Sequence, residues 1–241
     1  MHRFCSKFLF EQGRIPADSA IIDDEEAVSI IADYRNEDEE GVTRDFNRYK
    51  GYQTIIFFQH FIYQLEHQHP WKYYLHPESF TDDDREAVKH ICASQKIEYD
   101  EQAVVNIYHH AQEYMDEANA PGLDGKTADR IRVLLWKMYY ANCYARYKEE
   151  NHLFDFEDLL LYTYDIYRSD PTCKRYPWIQ VDEVQDLNGM QLSIIDLLTA
   201  EDNPMVMYLG DEQQAIFSFM GAKVETLTLL KMRCKGNIHL S

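Results

Sequence analysis

Carboxylates and an amide follow two short apolar runs in the C-terminal third of the chain. Asp182 and Glu183 come directly after residues 178–181, and Gln214 follows the run at 205–209. Such runs are typical of buried parallel strands, whose carboxyl ends meet at one edge of a sheet. One carboxylate can hold Mg²⁺ while the other orients or polarises a water molecule. We therefore expect metal-assisted phosphoryl transfer at this edge.

Two motifs in this region resemble those of the UvrD/Rep-like superfamily 1 DNA helicases. Residues 181–186 have the sequence VDEVQD, and motif II of the family is DExQD. Residues 210–222 have the sequence GDEQQAIFSFMGA, and motif III of the family is GDxxQxIxxFxGA. Every fixed position of both patterns is present, in the family's order and after an apolar strand. The pair is therefore far more specific than either motif alone.

Two weaker matches extend the resemblance. Residues 155–160, DFEDLL, resemble the family's DFxDLL, which opens the helix that leads back into the motor domain. Residues 2–5, HRFC, resemble the HxFC stretch just after motif Ia. The resemblance thus covers residues 1–12 and 154–241 by motif, and the residues between them by position and helical character.

The fold class that we expect is α/β. The resemblance implies a partial RecA-like (P-loop NTPase) parallel sheet with a mainly α-helical inserted subdomain. Residues 1–14 would be the N-terminal helix of motor domain 1A, 15–152 the helical subdomain 1B, and 153–241 the C-terminal part of 1A. The sequence pattern agrees with this layout, because helical periodicity dominates up to about residue 151, with acidic runs at 24–26 and 82–84 that start two of the helices. Helices then alternate with strands. The helices are expected at 155–168, 188–199 and 223–232, and the strands at 178–182, 205–209 and 237–240.

The resemblance implies ATP and Mg²⁺ as cofactors of the intact parent protein, and it assigns roles around the nucleotide. Asp182 would coordinate Mg²⁺ directly or through water, and Glu183 would activate the attacking water. Gln214 would sense the γ-phosphate. Gln185 and Asp186 would link the nucleotide site to the DNA cleft.

Motif III implies further contacts. Asp211 would brace its loop. Phe217 and Phe219 occupy aromatic positions of the family, and the second of these stacks on a base of single-stranded DNA. Core packing is the alternative for Phe219. His2 would lie on the DNA path. The family commonly has arginine where this chain has Met220. Methionine cannot form the charged, bidentate hydrogen bonds that an arginine guanidinium makes to a phosphate or a carboxylate.

The family's Walker A loop lies upstream of motif Ia, and a second motor domain (2A) follows the last motif present here. We therefore expect this chain to be a fragment of a larger ATP-dependent 3′–5′ DNA helicase that unwinds duplex DNA in repair or recombination. The fragment alone would lack ATPase activity. Two alternatives stay open: a helicase-like interaction module without catalysis, and a subunit of a RecBCD-type helicase-nuclease.

One segment is similar to a phosphate-binding loop. Residues 120–127, APGLDGKT, almost match the P-loop pattern GxxxxGK(S/T). A working P-loop needs a preceding strand, whereas residues 99–119 have helical periodicity. The sequence therefore predicts an interhelical loop in which Thr127 is the N-cap of the next helix and Lys126 is solvated.

The helical region is expected to pack as a unit of its own. Trp136 and Tyr139 would be buried in it, and the aromatic-rich stretch at 53–68 would be core rather than a nucleic-acid stacking strip. The formal net charge of −18 argues against tight DNA binding by this piece alone, because DNA-binding proteins normally carry a basic footprint.

Composition limits the remaining classes of function. The five cysteines are scattered without a CxxC pair, which favours reduced thiols in a cytoplasmic protein. The close histidine pairs, at 67 and 69 and at 109 and 110, have no second cluster with metal-ligand spacing, so they predict no metal site. No apolar run is long enough to span a membrane, and the N-terminus has no signal-peptide pattern, so we expect no membrane partner.

Overall fold

The computed structural model describes residues 1–202, 204–210 and 230. The chain divides into two compact units. One consists of residues 6–159, and the other of residues 1–5 together with 160–241. Below, the first is called the helical unit and the second the sheet unit.

The helical unit is built from α-helices joined by short 3₁₀ turns. Helix α1 (His2–Glu11) leads into it, and a short parallel pair, β1 (Ala20–Ile21) with β2 (Leu153–Phe154), joins its two ends. Its other helices are α2 (Asp24–Tyr34), α3 (Glu39–Arg44), α4 (Phe46–Glu66), α5 (Asp82–Gln95), α6 (Glu101–His109) and α7 (Gly125–Glu150). The 3₁₀ turns are Trp71–Tyr73, Pro77–Ser79 and Met115–Asn119.

The acidic runs of the sequence are helix starts. Asp23 caps α2 and forms a capping box with Glu26. Thr81 caps α5 in the same way with Asp84. Each box satisfies backbone N–H groups that the first turn leaves unpaired, and the acids of that turn complement the helix dipole.

The start of α7 corrects one prediction. Asp124, not Thr127, is the N-cap: its carboxylate accepts a hydrogen bond from the Thr127 N–H at 3.1 Å and from the Thr127 hydroxyl at 2.7 Å. Asp caps a helix at least as well as Thr, so the helix begins earlier. The segment 120–127 is nevertheless a loop and a helix start, as predicted, and a 3₁₀ turn precedes it rather than a strand.

Helices α4 and α7 provide much of the core of the helical unit. The α4 side chains Phe58, Phe61 and Ile62 are buried, which confirms that the aromatic-rich stretch is core. The prediction for Trp136 was wrong, because this side chain is 45% exposed. The inner stripe of α7 is filled by smaller side chains, including Ile131, Leu134, Leu135 and Met138. Trp136 is turned out of that stripe by the helical repeat.

The sheet unit contains a parallel pair, β3 (Trp178–Val181) and β4 (Met205–Tyr208), with α9 (Gly189–Leu198) between them in the chain. Helix α8 (Phe156–Ser169) precedes the pair. These elements agree with the predicted alternation of helices and strands, and so with an α/β class. The strand expected at 237–240, and the helix expected at 223–232 apart from Leu230, lie outside the described residues.

The core of the sheet unit lies around β3 and α9. Val181, Leu192, Ile195 and Leu230 are buried together there. No helix among the described residues is long and apolar enough to cross a membrane.

Candidate functional site

Asp182 and Glu183 directly follow the last residue of β3, and both are exposed. The backbone pairing continues past the strands: the Leu209 N–H donates to the Val181 carbonyl at 2.8 Å, and the Val184 N–H donates to the Leu209 carbonyl at 3.0 Å. The turn after β3 is therefore held against the end of β4. Both carboxylates lie at the carboxyl edge of the parallel pair, where the sequence predicted them.

The backbone turns sharply at Glu183. This residue has φ +51° and ψ +44°, in the left-handed region, and a 3₁₀ turn, Val184–Asp186, follows. For a residue with a side chain this conformation costs about 1–2 kcal/mol, and such strain is concentrated at functional sites.

Because of this turn, the side chain of Gln185 lies beside the carboxylate of Glu183. The Gln185 side-chain amide donates a hydrogen bond of 2.5 Å to Glu183 Oε2, and Gln185 itself is buried. A buried amide thus holds an exposed carboxylate. The Glu183 N–H in turn donates to Asp182 Oδ1 at 3.0 Å, which fixes the neighbouring carboxylate.

Gly210, the first residue of the second motif, packs directly on this turn. A Cβ atom placed on Gly210 would lie 2.6 Å from Val184 Cγ1 and 2.7 Å from Gln185 Oε1. Both distances are shorter than van der Waals contact, so the side chains of Val184 and Gln185 would have to shift. Glycine at 210 therefore permits the two motif segments to approach each other, and the structure brings Gly210 together with Gln185.

The remaining predicted residues have separate positions. Asp186 is exposed, and its N–H donates to the Glu183 carbonyl at 2.9 Å, which closes the 3₁₀ turn. His2 is the first residue of α1 and is half-buried, and its placement on a DNA path stays a prediction. Four predicted site residues lie outside the described residues, so their contacts also stay predictions: Asp211, Gln214, Phe217 and Phe219. The same holds for Met220.

A second group of titratable side chains is buried in the helical unit. Lys148 Nζ lies 2.7 Å from Asp155 Oδ2, 2.6 Å from Asp158 Oδ2 and 3.1 Å from Gln59 Oε1. His60 Nε2 lies 2.9 and 3.0 Å from the two Asp155 carboxylate oxygens. We call Lys148, His60, Asp155 and Asp158 the ionic cluster.

The ionic cluster also caps a helix. The Asp155 N–H donates to Asp158 Oδ2 at 3.0 Å, and the Asp158 N–H donates to Asp155 Oδ1 at 2.9 Å. This reciprocal pair resembles a capping box at the start of α8. It explains why the DFEDLL segment has an acid at its first and fourth positions. Tyr144 adds a hydroxyl hydrogen bond of 2.8 Å to Asp155 Oδ2.

Burial and neighbouring charges shift the pKa values of the ionic cluster in different directions. Burial opposes ionisation of Asp155, but the charges of His60 and Lys148 outweigh it and hold the pKa of this carboxyl well below its usual range. Burial also opposes the charge on Lys148, yet Asp155 and Asp158 raise its pKa above the ordinary value. For Asp158, burial and the Asp155 charge together raise the pKa.

The imidazole of His60 is subject to opposing effects of burial and charge. Burial opposes its charge, and Nδ1 has no hydrogen-bond partner among the described residues. The charge and hydrogen bond of Asp155 outweigh this cost and raise the pKa of His60. When His60 is protonated, two cations face two carboxylates and the ionic cluster is neutral.

The sequence did not predict which side chains pair with Asp155 and Asp158, nor that a group of possible metal ligands lies beside them. Ligand atoms of His60, Asp155 and Glu157 all lie within 4.8 Å of one another. However, the Lys148 ammonium already takes the cation position beside Asp155 and would repel a dication, so the group does not suit a metal ion. One sequence signal could have indicated the ionic cluster: Lys148 lies on the i, i+3, i+4 stripe of buried residues of α7, and a lysine on such a stripe needs a buried acidic partner.

Comparison with known proteins agrees with the two motifs. The sequence profile of the UvrD/REP helicase N-terminal domain matches residues 1–235. A probable DNA helicase II homolog of Mycoplasma capricolum is 25% identical over 160 residues, which are 61% of this chain and 21% of that protein. DNA helicase II of Escherichia coli is 35% identical over 97 residues, 38% of this chain and 13% of that protein.

A third relative comes from a different enzyme. The RecB subunit of the RecBCD enzyme of Buchnera aphidicola is 28% identical over 99 residues, 39% of this chain and 8% of that protein. In each case the chain spans about a fifth or less of the length of the relative that it matches.

Proposed function

Because this chain belongs to the UvrD/REP helicase N-terminal domain family, we propose that it supplies the ATP-hydrolysing edge of a DNA helicase. The observation that carries this proposal is the turn after β3. It presents two adjacent exposed carboxylates at the carboxyl end of a parallel strand, and it is packed against the first residue of the second family motif.

The donor set of this turn suits a magnesium nucleotide. Asp182 and Glu183 offer hard carboxylate oxygens, which Mg²⁺ prefers, and their exposure leaves room for water and phosphate. Bound Mg²⁺ would neutralise charge that develops on the phosphate oxygens. Asp182 would hold the metal, directly or through water. Glu183 would orient the attacking water and accept its proton.

Gln185 is proposed to connect catalysis with the rest of the molecule. Its amide N–H donates to Glu183, and its oxygen faces Gly210. A shift of the second motif would therefore reach the catalytic carboxylate through one buried side chain. Within this proposal Asp186, together with Gln185, links the nucleotide site to the DNA cleft. Gln214 senses the γ-phosphate and Asp211 braces its loop. Phe217 and Phe219 contact single-stranded DNA, and His2 lies on the DNA path.

The wider proposal places this chain in a RecA-like motor domain 1A with an inserted subdomain 1B. The parent would be a 3′–5′ helicase that acts in repair or recombination, with a second motor domain as its partner. The two compact units support this layout without setting its boundaries.

The test is Glu183→Gln in the longest natural polypeptide that contains this chain. The amide keeps the shape of the side chain but cannot accept a proton. We expect nucleotide binding to persist while DNA-stimulated ATP hydrolysis falls by about 10²–10⁴-fold, the range typical of a lost general base. Glu201→Gln, which changes an exposed carboxylate after α9, is the matched control. Hydrolysis at the wild-type rate in Glu183→Gln would refute the role of this residue.

The similarity to RecB favours one second candidate, a subunit of a helicase-nuclease. That parent would degrade linear duplex DNA in the presence of ATP, whereas a helicase without a nuclease domain would only separate the strands. A non-catalytic interaction module is distinguished from both by the absence of magnesium-dependent ATP binding in the same polypeptide.

A further inference from the structure

One face of α7 carries a row of aromatic side chains in which Trp136 is exposed and Tyr139, Tyr140 and Tyr147 are half-buried. Trp136 is 45% exposed, and Val133, one turn before it, is 64% exposed. The Trp136 ring stacks on Tyr140 with centroids 5.5 Å apart and planes 18° apart, and Tyr139 meets it edge-on at 5.9 Å. This packing fixes the rings while leaving apolar surface in water.

The row continues toward α2. Tyr147 lies seven residues, or about two turns, beyond Tyr140 on the same side of α7. It packs edge to face against Tyr34, at 6.2 Å, and Tyr34 is 41% exposed. The Arg35 guanidinium lies 5.3 Å over the Tyr140 ring. We call the surface from Val133 through Trp136 and Tyr140 to Tyr147, together with Tyr34, the aromatic row.

An acidic groove adjoins the end of the aromatic row. It has a volume of about 710 Å³, lies between α2 and α3, and includes both Tyr34 and Tyr147 in its walls. Its other polar walls are mostly carboxylates: Glu25, Glu26, Asp33, Glu39 and Glu40. Among the described residues that line it, none is basic.

We propose that the aromatic row and the acidic groove form one docking surface for a basic, amphipathic segment of a partner protein. Lysine or arginine side chains would enter the groove, where carboxylates and tyrosine faces both attract cations. Apolar side chains of the same segment would cover Trp136 and Val133. This inference does not depend on the proposed helicase function.

Charge selects this occupant over the alternatives. The groove carboxylates would repel the phosphates of a nucleic acid, and the whole chain has a formal charge of −18. A second copy of the chain would bring the same excess of negative charge to the surface. A segment with positive charge and apolar residues satisfies both the groove and the row.

The experiment uses the full chain and a panel of fluorescent 16-residue peptides in which leucines and lysines alternate at helical spacing. Fluorescence anisotropy measures their binding, and peptides with glutamate in place of lysine serve as the reverse-charge control. We expect only the basic peptides to bind. The affinity should fall as ionic strength rises from about 0.01 to 0.1 M, because the Debye length shrinks from about 30 to about 10 Å.

Two variants locate the surface. Trp136→Ala should weaken peptide binding about fivefold to thirtyfold, the loss expected when an aromatic anchor that the partner's apolar side chains cover is removed from an interface. The triple variant Glu25→Gln/Asp33→Asn/Glu39→Gln should remove most of the salt dependence. The matched control is Glu98→Gln/Glu113→Gln/Asp116→Asn, which removes the same charge from exposed positions elsewhere and should bind like the wild type.

Several results would overturn the proposal. One is no binding of the basic peptides up to about 1 mM. Another is binding that the control triple weakens as much as the groove triple does. A third concerns a single-stranded oligonucleotide added as a competitor. If it displaces the peptide, and if it binds the groove triple more tightly than it binds the wild type, the surface binds nucleic acid instead. A dimer that Trp136→Ala dissociates would show contact with a second copy. Circular dichroism melts of each variant establish that it is folded.

Discussion

The turn after β3 and the ionic cluster use the same acidic residue types for opposite purposes. Asp182 and Glu183 are exposed, and the contacts described for them come from the next residues of their own turn. Asp155 and Asp158 are buried, and Lys148 from the end of α7 and His60 from α4 neutralise them.

This difference shows that the neighbours of an Asp or Glu decide what it can do. A buried carboxylate whose oxygens already bind cationic side chains cannot also bind a metal ion or a water molecule. A carboxylate held in solvent by a strained turn keeps that capacity at the cost of local stability. DFEDLL and VDEVQD are both acidic family motifs, but the acids of the first stabilise the fold, whereas Asp182 and Glu183 of the second are exposed, as the proposed chemistry requires.

The largest effect should come from Lys148→Met. Removing the ammonium leaves two buried carboxylates facing one histidine, and breaking a buried ion pair in this way costs about 3–5 kcal/mol of unfolding free energy. Urea unfolding followed by circular dichroism measures the loss. Lys126→Met, at an exposed helix start, is the matched control and should stay within about 0.5 kcal/mol of the wild type.

A charge-balance variant sharpens that test. Adding Asp158→Asn to Lys148→Met removes one carboxylate and should recover part of the lost stability, because the remaining Asp155 still faces His60. If the double variant is less stable than Lys148→Met alone, the capping role of Asp158 outweighs its charge, and our electrostatic account of the cluster fails.

Gly210→Ala should have the next largest effect. The added methyl would collide with Val184 and Gln185, and overpacking of this kind costs about 1–3 kcal/mol. It should also disturb the hydrogen bond between Gln185 and Glu183. Gly51→Ala is the control: its new Cβ meets nothing within 4 Å on α4, so it should stabilise the helix by about 0.5–1 kcal/mol. Equal stability of both variants would contradict the close approach.

The pH dependence of stability should separate the two regions. The raised pKa of His60 means that its stabilisation is fully present below the unfolded value of about 6.5 and is lost as the pH rises through the folded value. Over that window stability should fall by at most about 1.4 kcal/mol per pH unit, the limit for one proton. His60→Asn should flatten this part of the profile, and Asp182→Asn should leave it unchanged.

The contribution of Asp155 to the pH dependence of stability has the opposite sign to that of His60. The depressed pKa of Asp155 contributes stability that is present above its unfolded value and is lost as the pH falls through the folded value. Asp155→Asn should therefore reduce the acid sensitivity of the protein as well as its stability. An unchanged acid limb in that variant would mean that other carboxylates control acid unfolding.

The smallest effect is expected at the apparent P-loop. Lys126→Ala should leave the magnesium-dependent binding of ATP unchanged in the longest natural polypeptide, because Lys126 is exposed and follows a 3₁₀ turn rather than a strand. Equilibrium binding of a fluorescent ATP analogue measures this, with Asp182→Asn as the variant that should weaken binding. A loss of affinity in Lys126→Ala would show that the segment binds phosphate after all.

The sequence by itself determined the features that depend on local patterns. The two apolar runs placed β3 and β4 to within a residue of their observed ends, and so placed Asp182 and Glu183 at the carboxyl edge. The acidic runs correctly predicted the starts of α2 and α5, since a cap acts on backbone groups only two or three residues away. The motifs identified the family for the same reason, because their spacing is local.

Tertiary structure alone decided which distant side chains meet. His60 and Asp155 are 95 residues apart in the chain, so no local pattern could pair them. Helical periodicity on α7 is compatible with more than one apolar stripe, and packing decided that the stripe with Leu134, Leu135 and Met138 faces the core while Trp136 is 45% exposed. The need for glycine at 210 arises from Val184 and Gln185 packing against it. Burial and charge pairing depend on the sum of such long-range contacts, which packing in three dimensions determines.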